Sequence, residues 1–125
     1  MARVLIVEDN QLNMELATDL LAAAGHAVLQ AATAEAGIVM ARAQRPDLIL
    51  MDIRLPGMPG SAAVRVLKGD AGTARIPTVA LTAQAMRGDA DAAREAGFDG
   101  YMSKPIDTRR FVTEIEEFLG ARGEA

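Results

Sequence analysis

Short, wholly apolar runs alternate with amphipathic stretches from one end of the chain to the other. Val4-Leu5-Ile6-Val7 and Leu48-Ile49-Leu50-Met51 leave no polar position on either side of an extended backbone. Each therefore predicts a strand buried on both faces. Asn10 can cap the helix after the first run. In that helix Asn13, Leu16, Ala17, Leu20 and Ala24 recur at helical spacing until Gly25 stops it, a register that puts Leu12 and Met14 off the buried stripe. His26 to Ala32 predicts a second strand, and Thr33 caps a helix with Ile38 and Ala41 inward that ends before Pro46.

The second half repeats the alternation. After a Pro/Gly-rich loop from Leu55 to Gly60, a helix over Ser61 to Lys68 places Val64 and Leu67 on one side. Ile76 to Leu81 predicts the fourth strand, with Pro77 near its start, where a missing N–H is tolerated. Met86 to Ala96 predicts an alanine-rich, charged helix closed by Gly97, and Gly100 to Ser103 a short fifth strand. The last helix comes after Asp107 and buries Phe111, Ile115, Phe118 and Leu119, leaving Glu114, Glu116 and Glu117 mostly to solvent. Arg122 to Ala125 reads as a frayed tail. Successive βα units with buried-type strands imply an α/β fold, a parallel sheet with helices on both faces.

Composition narrows this picture mainly by exclusion. A chain of 125 residues fits one domain, 1–125, with no room for an output domain. Half of its residues are hydrophobic, enough for a core without disulfides or a structural metal. The absence of cysteine and the single histidine, His26, rule out thiolate zinc sites and His-paired metal motifs. A net charge of −4 argues against nucleic acid as a partner. The chain opens without signal-peptide order, and Val4 to Val7 is far too short to span a bilayer. A soluble cytoplasmic protein without a membrane partner is the expectation.

The chemistry lies just beyond the apolar runs. In open α/β sheets ligands bind beyond the carboxyl ends of the strands. The first run leads into Glu8 and Asp9, the third into Asp52, the fourth into Thr82, and the fifth strand into Lys104 and Pro105. Carboxylates crowded this way repel by about 4 kcal/mol per pair at 4 Å and an effective dielectric of 20. Such a cluster must protonate, pair with a cation or bind a metal. Lys104 can neutralise one charge, and Mg²⁺, a hard cation that accepts carboxylates, waters and phosphate oxygens, suits the rest. Asp52 then has the features of a nucleophile toward phosphorus, with Lys104 and Thr82 placed to stabilise the transferring group.

These residues, in this order, resemble the response-regulator receiver family along essentially the whole chain. The matching pieces are Val4-Leu5-Ile6-Val7-Glu8-Asp9-Asn10, Pro46-Asp47-Leu48-Ile49-Leu50-Met51-Asp52, Leu81-Thr82-Ala83 and Lys104-Pro105. Single-domain cell-cycle receivers and those attached to hybrid kinases share the flavour of Glu8 to Met14 and of Leu81 to Asp89. The resemblance implies a flavodoxin-like (βα)5 three-layer sandwich with strand order 2-1-3-4-5. It implies Asp52 as phospho-acceptor, Asp9 as direct metal ligand, Glu8 as its water-bridged partner, and the Arg54 carbonyl completing the set around Mg²⁺, with Mn²⁺ as an alternative. Thr82, Lys104 and the Ala83 backbone N–H would bind the phosphoryl oxygens, and Arg54 and Gln84 would flank them. Tyr101 would be the switch aromatic beside Thr82, and the Lys104–Pro105 bond would be cis. The implied donor is a phospho-histidine of a sensor kinase or phosphotransfer protein. Output would pass to a protein target through the fourth helix, fifth strand and fifth helix, a switch rather than an enzyme.

Plainer readings stand beside these. Thr82 alone could be a helix cap, Tyr101 a half-buried packing residue, and His26 an exposed polar side chain. Leu12 and Met14 either pad the neighbouring loop or form a docking surface for the donor's helices. The loop reads Pro59 and Ser61 where relatives often carry a polar cap and an apolar residue, which leaves the start of the third helix in question. A flavodoxin-like cofactor carrier would need a phosphate cradle where Glu8 and Asp9 stand. An aspartyl phosphatase would usually place an acid at Arg54. A receiver cut from a hybrid kinase is a nearer alternative.

Overall fold

The computed structural model describes residues 2–82 and 89–120. The elements are β1 (Arg3–Val7), α1 (Gln11–Ala23), β2 (Ala27–Ala31), α2 (Ala34–Gln44), β3 (Leu48–Asp52), α3 (Gly60–Lys68), β4 (Thr78–Thr82), α4 (Asp89–Ala96), β5 (Gly100–Ser103) and α5 (Phe111–Gly120). The five strands form one parallel sheet in the order β2-β1-β3-β4-β5. The expected (βα)5 fold and strand order are those observed.

The apolar runs divide between two cores because successive strand side chains point to opposite faces. Leu5, Val7, Ile49, Met51 and Ala80 pack under α2, α3 and α4. Val4, Ile6, Leu48, Leu50, Val79 and Leu81 pack under α1 and α5. Both β3 and β4 are buried at every position, whereas β2, at one sheet edge, is mostly half-exposed. The interior strands β1, β3 and β4 thus carry acidic and hydroxyl groups at their ends on a rigid base.

Several sequence expectations change. Met14 is buried at 8% exposure, on a stripe with Ala17 and Leu21, while Leu12 is 77% exposed as expected. The alanines of α1 blur the edge between its apolar and polar faces, so the stripe lies one position away from the one expected. Ala24 is the exposed helix cap. Strand β4 starts at Thr78, later than expected; Pro77 offers only its carbonyl, which accepts from Ile49 N–H at 2.9 Å. Phe118 and Leu119 are half-buried, leaving Phe111 and Ile115 as the fully buried residues of α5.

His26 is not the exposed polar side chain the sequence suggests. Its side chain is 7% exposed; Nδ1 accepts from the Ala2 N–H at 3.1 Å and Nε2 lies 3.0 Å from Glu116 Oε2. It ties the start of β1 to α5. The start of α3, left in question by the sequence, is at Gly60, one residue before Ser61: Pro59 takes the N-cap position and makes no side-chain cap bond. The expected helix start at Met86 lies outside the described residues.

Candidate functional site

The site is assembled from strand ends held in register. Asp52 is the last residue of β3 and pairs with Leu81, and Thr82 closes β4 opposite Ser103. Glu8 and Asp9 come directly after β1, where the Glu8 N–H donates to Ala31 O at 3.0 Å. Asn10 then serves two ends at once. Its side chain caps α1 by accepting from Asn13 N–H at 3.0 Å, and its own N–H donates to Glu8 Oε2 at 3.0 Å. The local signal that starts the helix also fixes a site carboxylate.

Asp52 is held from both sides. Its Oδ1 accepts the Arg54 N–H at 3.0 Å, and its Oδ2 accepts from Lys104 Nζ at 2.7 Å. Lys104 reaches it from just beyond β5, where its N–H donates to Thr82 O at 2.7 Å and its bond to Pro105 is cis. The same Nζ lies 3.2 Å from Glu8 Oε1, an ion pair without hydrogen-bond alignment. Glu8 Oε1 is therefore buried with no hydrogen-bond partner.

Burial raises the Glu8 pKa above its ordinary value. The Asn10 N–H opposes this, the Asp52 charge adds to it, and Lys104 pulls it part of the way back. Burial would lower the Lys104 pKa, but its hydrogen bond to Asp52 and the charges of Asp52 and Glu8 outweigh that and hold it above its ordinary value. Lys104 is thus a fixed cation, while the carboxylates still carry excess negative charge.

That excess tests whether a metal fits. Carboxylate oxygens of Glu8, Asp9 and Asp52 all lie within 4.8 Å of one another. An orphaned buried oxygen, an exposed Asp9 and an all-oxygen donor set match a hard divalent cation such as Mg²⁺, which keeps several waters of its own. Softer metals would call for thiolate or imidazole donors, and the site has neither.

The sequence reading missed Gly60. Its N–H donates to Ile53 O at 2.9 Å, and a Cβ there would fall 2.6 Å from Asp52 O. A side chain would push directly on the backbone that carries Asp52. The Pro59-Gly60 pair stands out in the sequence only as an irregular helix start, yet close backbone approach is a standard reason for glycine. Of the other expected residues, Thr82 is buried at the site's edge and Tyr101 on β5 is 36% exposed. Ala83 and Gln84 lie outside the described residues.

Over residues 4–116 the sequence matches the response regulator receiver domain. The chain belongs to this family. The receiver is 44% identical over 117 residues to the polar-differentiation response regulator DivK of Brucella anthropi, covering 94% of this chain and 95% of that protein. DivK of Brucella abortus (strain 2308) matches to the same extent. Among solved structures it is similar to the receiver domain of the sensor histidine kinase PA1611 from Pseudomonas aeruginosa PAO1, with TM-score 0.87, 33% identity and coverage of 95% and 98% of the two chains. That structure has a magnesium ion coordinated in its active-site cleft. A putative response regulator from Chloroflexus aurantiacus J-10-fl superposes with TM-score 0.90 at 28% identity, covering 95% of this receiver and 98% of that chain. Among the described residues no helix is long and apolar enough to cross a membrane.

Proposed function

We propose that this receiver works as a single-domain response regulator, in which Asp52 accepts a phosphoryl group from a phospho-histidine of a sensor kinase or phosphotransfer protein. The observation that carries this reading is the convergence of Asp52, Glu8, Asp9 and Lys104 at one sheet edge with a buried carboxylate oxygen left without a hydrogen-bond partner. The likeness to DivK over nearly its whole length supports the single-domain arrangement.

Glu8, Asp9, Asp52 and the Arg54 carbonyl would hold Mg²⁺, which when bound supplies positive charge against the phosphoryl oxygens. A carboxylate oxygen of Asp52 forms the new P–O bond as the P–N bond to the donor imidazole breaks, and the electron pair leaves with the ring. Lys104 passes from Asp52 Oδ2 to a phosphoryl oxygen, and the Thr82 hydroxyl and the Ala83 N–H donate to the others. Hydrolysis of the acyl phosphate returns Asp52 to its carboxylate, with Arg54 flanking the water's approach.

Switching a population from 1:99 to 99:1 takes about 5.5 kcal/mol. Two or three new charge-assisted hydrogen bonds at roughly 1.5–3 kcal/mol each cover that. Thr82 moving toward the phosphoryl group vacates space for Tyr101, which changes the face of α4, β5 and α5 offered to a protein target. Thr82→Ala then still accepts the phosphoryl group, though without the hydroxyl donor, and once phosphorylated binds its target several-fold more weakly; unchanged target binding by the phosphorylated variant would disprove this coupling.

The test of the acceptor is the intact mass after incubation with Mg²⁺ and phosphoramidate, a small donor. One phosphoryl adduct is expected, absent from Asp52→Asn and absent when the metal is chelated. An adduct that persists in Asp52→Asn would move the acceptor elsewhere.

A further inference from the structure

Two strands, β2 and β5, form the side edges of the sheet. An edge strand offers a row of unpaired N–H and C=O groups to any other strand, and proteins blunt such edges with shortness, charge or proline. The β5 edge is blunted: it is four residues long and leads directly into Lys104 and Pro105. The β2 edge is not. Its five residues, Ala27-Val28-Leu29-Gln30-Ala31, include no charge and no proline. Between Asp19 and Glu35 the chain has no Asp, Glu, Lys or Arg at all.

The ladder to β1 shows which groups are left over. Ala27 N–H donates to Ala2 O at 2.8 Å, and Ala31 O accepts from Glu8 N–H at 3.0 Å. Along a strand, successive residues turn their N–H and C=O to opposite sides, so with this register Ala27, Leu29 and Ala31 bond β1. Val28 and Gln30 therefore turn theirs to the open edge, and among the described residues no backbone group bonds them there. The Gln30 side chain is drawn aside, its amide donating to Thr18 Oγ1 at 2.9 Å.

These outward groups are self-complementary. In an antiparallel pair, the residues that exchange both N–H···O bonds recur at every second position. About a two-fold axis, Val28 exchanges bonds with the second copy's Gln30, and Gln30 with the second copy's Val28. Leu29, half-buried on the α2 side, then meets its own counterpart on the axis as a close pair without hydrogen bonds. Such an isologous contact uses the same patch on both chains.

We infer that β2 is a self-association edge, at which two copies of this chain pair β2 to β2 antiparallel and form one continuous sheet. In that arrangement the two β5 edges lie at the far ends of the sheet. The carboxyl ends of the two sets of strands point in opposite directions. The pair presents two copies of the α4, β5 and α5 face, neither covered by the contact.

Sedimentation equilibrium from about 10 μM to about 1 mM, the span in which small interfaces associate, should take the mass from that of one chain toward that of two. Amide exchange over the same concentrations reads the edge itself. Val28 and Gln30 N–H gain protection as the mass rises, while Ala27, Leu29 and Ala31, already bonded within the sheet, change little. Gln30→Pro deletes an outward donor, costs no bond to β1, and should weaken association at least about tenfold. Gln30→Ala loses the same side-chain bond to Thr18 but keeps the donor, and should associate as the unaltered protein does. Exchange needs no substitution, so it decides the matter even where the proline variant folds poorly. A chain that stays monomeric throughout, or a rise in mass without protection of Val28 and Gln30, overturns the inference. So does association that survives Gln30→Pro at full strength or is lost in Gln30→Ala.

Discussion

The two ends of the sheet treat charge in opposite ways. At the amino ends of β4 and β5, Lys68 Nζ donates to Ala74 O at 3.1 Å, Ile76 O at 3.0 Å and Asp99 Oδ2 at 2.8 Å. Asp99 Oδ2 also accepts the Thr78 N–H at 2.8 Å. An ammonium has three donors, and here all three are used. At the carboxyl ends, one ammonium serves two buried carboxylates, a third carboxylate stands beside them, and a buried oxygen has no hydrogen-bond partner. A satisfied charge network holds elements in place, whereas an under-paired one is left ready for a cation or an anion that is not part of the chain. The lesson is that the excess, and not the mere presence of charge, marks the working end.

This contrast can be broken from either side. The largest effect is expected at the satisfied end. Lys68→Met removes three hydrogen bonds and leaves Asp99 without its cation, at a cost of about 3 kcal/mol of stability in urea unfolding. The variant should still form the Asp52 adduct wherever it is folded. A change below about 0.5 kcal/mol would mean that the network is decorative, as exposed ion pairs often are.

The opposite sign is expected at the other end. Asp9→Asn removes a charge from a crowd of like charges and should raise stability in metal-free buffer by about 1 kcal/mol, the scale of a repulsion at 4 Å in water. Urea midpoints of the two proteins without divalent cations give the answer. A loss of stability would show that Asp9 holds the fold rather than serving the site.

The same division governs how much of the molecule is legible in its sequence. Glu8, Asp9, Asp52, Thr82 and Lys104 can be found because each sits at or just beyond a strand's carboxyl end, and a parallel sheet brings all such positions to one edge. The apolar runs of β1 and β3 are unambiguous because both of their faces are buried. His26 defeats sequence reading because its partners, Ala2 and Glu116, lie 24 and 90 residues away, and no local pattern announces them. Met14 defeats it because an alanine-rich helix gives weak contrast between adjacent stripes, and a long side chain leans back over the preceding turn. Gly60 is visible as a residue but not as a contact, since its requirement comes from the backbone at the end of β3 lying against it.

The central claim is that the excess charge around Glu8 Oε1 is completed by a divalent cation. Calorimetric titration of Mg²⁺ into the phosphate-free protein measures this without any reaction. The account predicts binding at one site, lost in Glu8→Gln and in Asp52→Asn, while Lys68→Met, altered only at the satisfied end, binds as the unaltered protein does. No binding in the unaltered protein, or binding that both carboxylate substitutions leave intact, would contradict it.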